Sequence, residues 1–461
     1  MNFNVIYRKI CAPGVFLMSR FRYPQKFLIV SILFATPIAL GLYFFVGEIN
    51  TEIKTIQMEQ NGIMYLTPAQ LLLKDMQQHR GITGVVLSGE TSFNQTLFNK
   101  RKEIDSVLME LERMDVEKGI ELKLGAEPAR IRDIKNEWID IKQKFDKNIF
   151  TPETSFRAHT SLIQDIMFFI VYIGDNSNLT LDQHLSTSYL IDAFINRVPI
   201  ISENMGQLRA SGLILPPGKR MSYGEKQIFL SLSNTADANI KRLNTRMKFV
   251  FADDYEIQKI LAMPLKDATD GVETLLSVVD KKIIRADTNT LLREEYYNVS
   301  TQSIDSVFNF YNKAVPVINT LLQNRIDALK QRRNILFTLV GISLALVVYL
   351  FVGFYFGVKE TIDILRHATG RMLENTQSEK IVLNTKDEFS EIVNSFNIVI
   401  NAFTVANTNL KDSLAKKETT EQELKKSAYE MAEFNQLMVG RELKMMELKE
   451  EITALKKQLG G

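Results

Sequence analysis

Two long stretches without charge limit what this chain can fold into. Residues 335–358 run for 24 residues, and residues 27–47 for 21, with no charged side chain. A helix needs about 20 predominantly apolar residues to cross ~30 Å of hydrocarbon, so each stretch is long enough to span a bilayer. A lone segment in lipid must satisfy its own backbone polar groups, and only a helix does so. The first stretch is too long for the apolar core of a cleavable leader, and no small-x-small cleavage pattern follows it. Pro37 lies inside it, where neighbouring groups satisfy the carbonyl that a proline frees. Arg8, Lys9, Arg20, Arg22 and Lys26 precede it, and residues 1–47 contain no acid. The positive-inside rule then puts residues 1–26 in the cytoplasm, 48–334 outside and 359–461 inside. Lys330, Arg332 and Arg333 pull the other way, but a long translocated domain weakens the bias of later loops.

Composition excludes several function classes. With 56 basic and 54 acidic residues, the chain lacks the concentrated basic field of a nucleic-acid binder. Cys11 is the one cysteine, which rules out an intrachain disulfide and a cysteine-rich metal site. His79, His159, His184 and His367 are too scattered for a zinc site. Dinucleotide-binding glycines, a P-loop and a nucleophile elbow are missing from the sequence. The expectation is therefore a non-enzyme with no catalytic residue, no cofactor and no metal. Residues 174–182 are rich in oxygens but lack the EF-hand spacing and its final glutamate. Asp175 or Ser177 is expected there as a cap on the next helix.

The external region, 48–334, reads as all-α. Leu71, Leu72, Met76, His79, Ile82, Thr83 and Val86 keep one helical face. So do Ile131, Ile134, Trp138 and Ile141, and then Leu162, Ile166, Phe169, Ile170 and Ile173. Eight prolines divide the region into long helical segments, and its length suits two bundles. The dense mixed charge of residues 100–147 reads as a solvated face. One internal echo stands out: Gln77-Gln78-His79-Arg80-Gly81-Ile82-Thr83-Gly84 against Gly206-Gln207-Leu208-Arg209-Ala210-Ser211-Gly212. Each copy sets an arginine beside small residues, which let helices approach closely. An arginine in such a crevice matches a carboxylate, nitrate or phosphate at two points. The alternative is that each arginine pairs with a nearby Asp or Glu. Arg80, Arg209 and, beside them, His79 are the candidate ligand-binding residues.

Beyond residue 358 a seam begins. Val358, Ile362, Leu365, Thr369 and Met372 recur at spacings of four and three. After a polar break the rhythm returns at Phe389 and keeps one phase to Leu459, with 16 of its 21 positions apolar. A two-in-seven seam this long predicts a coiled coil. The run Asp387-Glu388-Phe389-Ser390-Glu391-Ile392 ahead of Phe396-Asn397 resembles the entry to the second helix of a HAMP domain, and that resemblance covers about 358–410. It lacks the proline usual near the start of the first HAMP helix. It implies a four-helix bundle made by two copies, with Ile362, Leu365, Met372, Asp387, Glu388, Ile392, Phe396, Val399 and Phe403 relaying the signal.

The external region resembles, more loosely, the helical sensor regions of bacterial chemoreceptors, sensor kinases and cyclases. Nitrate- and nitrite-sensing (NIT-type) domains are among these, and their ligand arginines correspond to Arg80 and Arg209. Residues 437–448 resemble a linker of histidine-kinase and PAS-containing proteins that leads into an output domain. No phosphoacceptor helix, ATP-binding box or cyclase motif follows before Gly461. The resemblances imply a homodimeric receptor of the bacterial inner membrane that senses a small molecule or anion and acts through a partner such as a kinase. The sensory part of a histidine kinase and a non-sensing dimeric tether are the other two readings. On this plan the chain divides into 1–26, the span 27–47, the sensor 48–334, the span 335–358, HAMP 359–410 and the coiled coil 411–461.

Overall fold

A computed structural model describes the backbone of residues 3–119, 122, 130–182, 184–216, 218–373, 380–382 and 388–460, with 3–10, 130, 372 and 373 described by backbone alone. Among the described residues every regular element is helical and no strand occurs. The helices are α1 (Phe3–Ser19), α2 (Tyr23–Leu87), α3 (Asn94–Lys118), α4 (Arg130–Asp146), α5 (Pro152–Asn176), α6 (Leu185–Asp192), α7 (Val198–Ile214), α8 (Tyr223–Asp253), α9 (Tyr255–Val279), α10 (Arg293–Leu373) and α11 (Glu388–Gln458). Three of them, α2, α10 and α11, are long and apolar enough to cross a membrane, and α11 is the least apolar of the three. The chain forms two compact units, Ala35–Leu339 and Met1–Phe34 together with Val340–Gly461.

In the first of these, α2 is the central element. Leu66, Ala69, Leu72, Leu73 and Met76 are fully buried along it, because other helices press on it from several sides. The Tyr65 hydroxyl donates to the Leu111 carbonyl of α3 at 3.3 Å, and its ring meets Phe169 of α5 at 5.8 Å. Gln70 Nε2 donates to the Phe194 carbonyl at 2.8 Å, and Lys74 pairs with Asp305 of α10 at 2.8 Å. The faces on α4 and α5, with Trp138, Ile166, Phe169 and Ile170 among them, are buried against this helix in one contiguous core. Leu71 departs from the expected face and stands exposed. Three leucines in a row cannot all point inward on a helix, and Leu72 and Leu73 take the buried sites.

The prolines do less dividing than their number suggests. Pro68, Pro264 and Pro316 lie inside α2, α9 and α10. At Pro199 the chain makes another adjustment. A five-residue π-helical turn, Ala193–Arg197, precedes it and joins α6 to α7. A proline ring clashes with the carbonyl four residues back, and widening the preceding turn relieves that clash.

Residues 174–182 correct one expectation. Asp175 is still inside α5, and Ser177 ends that helix instead of starting the next. Its hydroxyl donates to the Ile173 carbonyl at 2.7 Å. Asn178 then turns the chain in the left-handed region, at φ 67°, a conformation that Asn tolerates better than most residues.

Candidate functional site

Arg80 on α2 and Arg209 on α7 are both 1% exposed, and the small residues of the two echoed segments make the room. The space beside Gly206 is occupied by Arg80, whose Nη2 would lie 3.1 Å from a Cβ placed there. The space beside Gly81 is occupied by Arg209, whose Nε would lie 3.6 Å away. Each arginine thus rests against the glycine of the opposite segment. Gly212 is closed off in the same way by the ring of Tyr296.

The two guanidiniums are partnered differently. Arg80 meets Glu203 of α7 at two points, Nη1 to Oε1 at 2.6 Å and Nη2 to Oε2 at 3.1 Å. It also donates to Thr160 at 3.0 Å and lies over the Phe156 ring. Gln77 and Gln207 donate to the same carboxylate, at 3.1 and 2.7 Å. Arg209 donates to the main-chain oxygen of Gln77 at 3.1 Å and to the Thr301 hydroxyl of α10 at 3.3 Å. Among the described residues no carboxylate forms an ion pair with it. Asp305, which acts on it from farther off, is held by Lys74. Burial pulls the Arg209 guanidinium down to about 10; the Tyr297 hydroxyl opposes this and Arg80 adds to it. It is still charged at neutral pH. Arg80 Nε, Arg209 Nε and Gln77 Oε1 have no hydrogen-bond partner. The cluster therefore holds two cations against one anion, with spare donors and a spare acceptor.

His79 faces elsewhere, toward α4 and α5. Its Nδ1 lies 2.8 Å from His159 Nε2, and its ring meets Trp138 edge-on at 4.7 Å. His159 Nδ1 sits 2.8 Å from the Ser155 carbonyl, which only accepts, so this nitrogen carries the proton. His159 Nε2 is then the acceptor and His79 Nδ1 the donor. His79 Nε2 is left bare, and it has no partner. Burial drives both rings neutral: it holds His79 well below its ordinary value, with His159 adding to it, and holds His159 at about 4, opposed by the Ser155 carbonyl.

The residues expected to relay a signal fall in the other unit. Met372 by its side chain, and Asp387 altogether, lie outside the described residues. There α10 and α11 enclose a small core of Ala368, Ile381, Val393 and Ile400, with Ile364, Leu365 and Phe396 packed against it. Leu365 and Phe396 thus take part in contacts within one chain. Ile362, Ile392, Val399 and Phe403 are 45%, 50%, 56% and 45% exposed, and Glu388 at the start of α11 is exposed. Asn397 is the residue the spacing did not single out for a role. Its Oδ1 accepts from the Ile381 N–H and its Nδ2 donates to the Ile381 carbonyl, both at 2.9 Å. One buried amide so satisfies both main-chain groups of a residue that belongs to no helix.

No protein-family model matches the chain, and no curated protein matches it. Among solved structures it is similar to one described as "Structure of the NasR transcription antiterminator", at 11% identity and a TM-score of 0.40, covering 81% of this chain and 100% of that one. A likeness at that level carries no argument about function.

Proposed function

We propose that the chain is a homodimeric receptor of the bacterial inner membrane whose external helical domain takes up a small oxyanion, such as nitrate or nitrite, between Arg80 and Arg209. The observation that carries this reading is Arg209, a buried guanidinium beside a second guanidinium and without a carboxylate of its own among the described residues. A buried charge is costly until something neutralises it, and the planar fork of an arginine suits a planar anion. Gln77 ties the parts together, since its carbonyl holds Arg209 and its side chain holds Glu203. An anion that draws Arg209 away from Gln77 and Thr301 favours a second arrangement of α2, α7 and α10. Only a difference in affinity between two arrangements drives such a change, and couplings of about 1–3 kcal/mol are typical.

On this reading residues 27–47 and 335–358 are the spans, 359–410 the HAMP bundle and 411–461 a coiled coil that acts on a cytoplasmic partner such as a kinase. The exposed apolar positions Ile362, Ile392, Val399 and Phe403 support pairing with a second copy. The test is thermal unfolding of the purified full chain in a non-ionic detergent against nitrate, nitrite, chloride and acetate. A ligand at about 100 times its dissociation constant adds about 2.7 kcal/mol, a rise of a few degrees for a protein of this size. The rise should vanish in Arg209→Ala. A folded sample that responds to none of the anions would overturn the reading.

A further inference from the structure

A cavity of about 490 Å³ opens near the start of the external region, where α2, the turn after α5 and α10 come together. Glu48, Glu52 and Glu59 of α2 line it. At 1.5 Å per residue they form a row along one helix face about 16 Å long. Asp182 and Arg325 face this row, and they satisfy each other: Arg325 Nη1 meets Asp182 at 2.8 Å. The His184 N–H donates to the other Asp182 oxygen at 2.7 Å, and Arg325 Nη2 donates to Thr187. The one guanidinium of the cleft is thus already engaged. Among the described residues, no basic side chain forms an ion pair with Glu48, Glu52 or Glu59.

Glu59 is the informative member. It is 4% exposed. Its Oε1 accepts one long hydrogen bond from Asn178 at 3.4 Å, while its Oε2 has no partner. A buried carboxylate oxygen left without a donor in the wall of a cavity calls for one from a ligand. Burial first, then the Asp182 carboxylate, push the Glu59 carboxyl up to about 7, opposed by Asn178 and by Arg325.

We infer that this cleft binds a linear aliphatic amine carrying more than one ammonium group. One ammonium donates to Glu59, further ones sit along Glu52 and Glu48, and the methylenes lie against Ile56 and Leu181. A metal ion does not suit the place. Its oxygen ligands must converge to about 2.3–2.6 Å, whereas successive glutamates here are a helical turn or more apart. Among the described residues no group of three or more His, Cys, Asp or Glu is placed to hold one. The cleft is also separate from the arginine cluster, since Glu59 and Arg80 stand about 30 Å apart along α2.

The experiment is calorimetric titration of the intact protein, in a non-ionic detergent, with spermidine, putrescine, butylamine and calcium chloride in turn. Spermidine should bind saturably, putrescine more weakly, and butylamine and calcium not at all. Glu59→Gln should weaken spermidine by roughly tenfold or more, the size of a lost charge-assisted hydrogen bond. It should also flatten a rise in affinity between roughly pH 6 and pH 8, the range in which the Glu59 carboxyl, pushed up to about 7, ionises; Glu48, Glu52, Asp182, His184 and Arg325 are the other charged or titratable groups that face the cleft. Should Glu59→Gln not fold, Glu52→Gln at the exposed rim decides, with a several-fold loss expected. No saturable spermidine binding, binding untouched by the folded variants, or calcium taken up in place of the amine would each overturn the inference.

Discussion

Arg80 and Arg209 are alike in burial but opposite in what their removal should do. Arg80 and Glu203 satisfy each other at two points. Deleting one partner of such a pair leaves the other charge buried alone, at a cost of about 3–5 kcal/mol. Glu203→Ala should therefore lower the denaturant midpoint of the full chain strongly. Arg209 has main-chain and hydroxyl partners only, so replacing it with Met removes a buried charge that nothing neutralises. Without added anion that variant should unfold at or above the wild-type midpoint; a loss as large as that of Glu203→Ala would mean Arg209 is already paired. The histidines make a separate prediction. Both are held neutral in the folded protein, His159 down to about 4. Well above pH 6.5 neither the folded nor the unfolded chain protonates them, and the two rings add no slope to stability. As the pH falls toward 4 the unfolded chain takes up protons that the folded chain refuses. Stability is then lost at up to about 1.4 kcal/mol per pH unit for each ring. His159→Gln should make the fall in unfolding free energy between pH 6.5 and 4 shallower, and an unchanged slope would count against the tautomers deduced for this pair.

At the scale of elements, the approach of α2 to α7 rests on glycines that meet the other helix's arginine. Because a Cβ at position 206 would crowd Arg80 at 3.1 Å while one at 81 finds ordinary contact at 3.6 Å, Gly206→Ala should cost more than Gly81→Ala. An equal melting shift for the two would mean the contacts are not unequal in solution. In the other unit, the clasp of Asn397 on Ile381 predicts that Asn397→Ala leaves two buried main-chain groups unpaired, costing about 1–3 kcal/mol each. Amide exchange at Ile381 should then accelerate at least tenfold. These elements were legible in the sequence to different degrees. The arginines could be found because a charge beside Gly and Ala on an apolar face is conspicuous. Glu203 could have been found too: it is the one acid between Val198 and Ile214, and Arg209 the one base. Thr160, Phe156 and Thr301 could not, since residues 76 to 92 positions from the arginine they touch reach it only through packing that no local spacing encodes. The Ser177 hydroxyl serves equally to start a helix or to close one, and Asn178 turning left-handed makes it the closing residue.

For the whole molecule, the pattern of burial along α11 separates contacts made within one chain from contacts left for another. Val393 and Ile400 pack with Ala368 of α10 and with Ile381, Asn397 bonds to Ile381, and all three are buried. Ile392, Val399 and Phe403 lie on the neighbouring stripe, apolar and 45% to 56% exposed. A helix that already has one partner keeps a second apolar stripe only at a cost in solubility, which is why a second copy of this chain is the natural cover. The single native cysteine, Cys11, makes the test clean. In a Cys11→Ser background, Val399→Cys and Phe403→Cys should form disulfide-linked dimers on mild oxidation in native membranes. Asn401→Cys should not, because two residues along a helix turn a side chain by about 200°, to the opposite face. Equal cross-linking at all three positions would signify chance collision and leave the stripe without a partner. Cross-linking at positions 399 and 403 alone would place two copies side by side along this stripe. Repeating the oxidation with nitrate present then asks whether the same contact responds to the arginine cluster: a rate that changes with Arg209 in place but not with Arg209→Ala would join the two halves of the proposed mechanism.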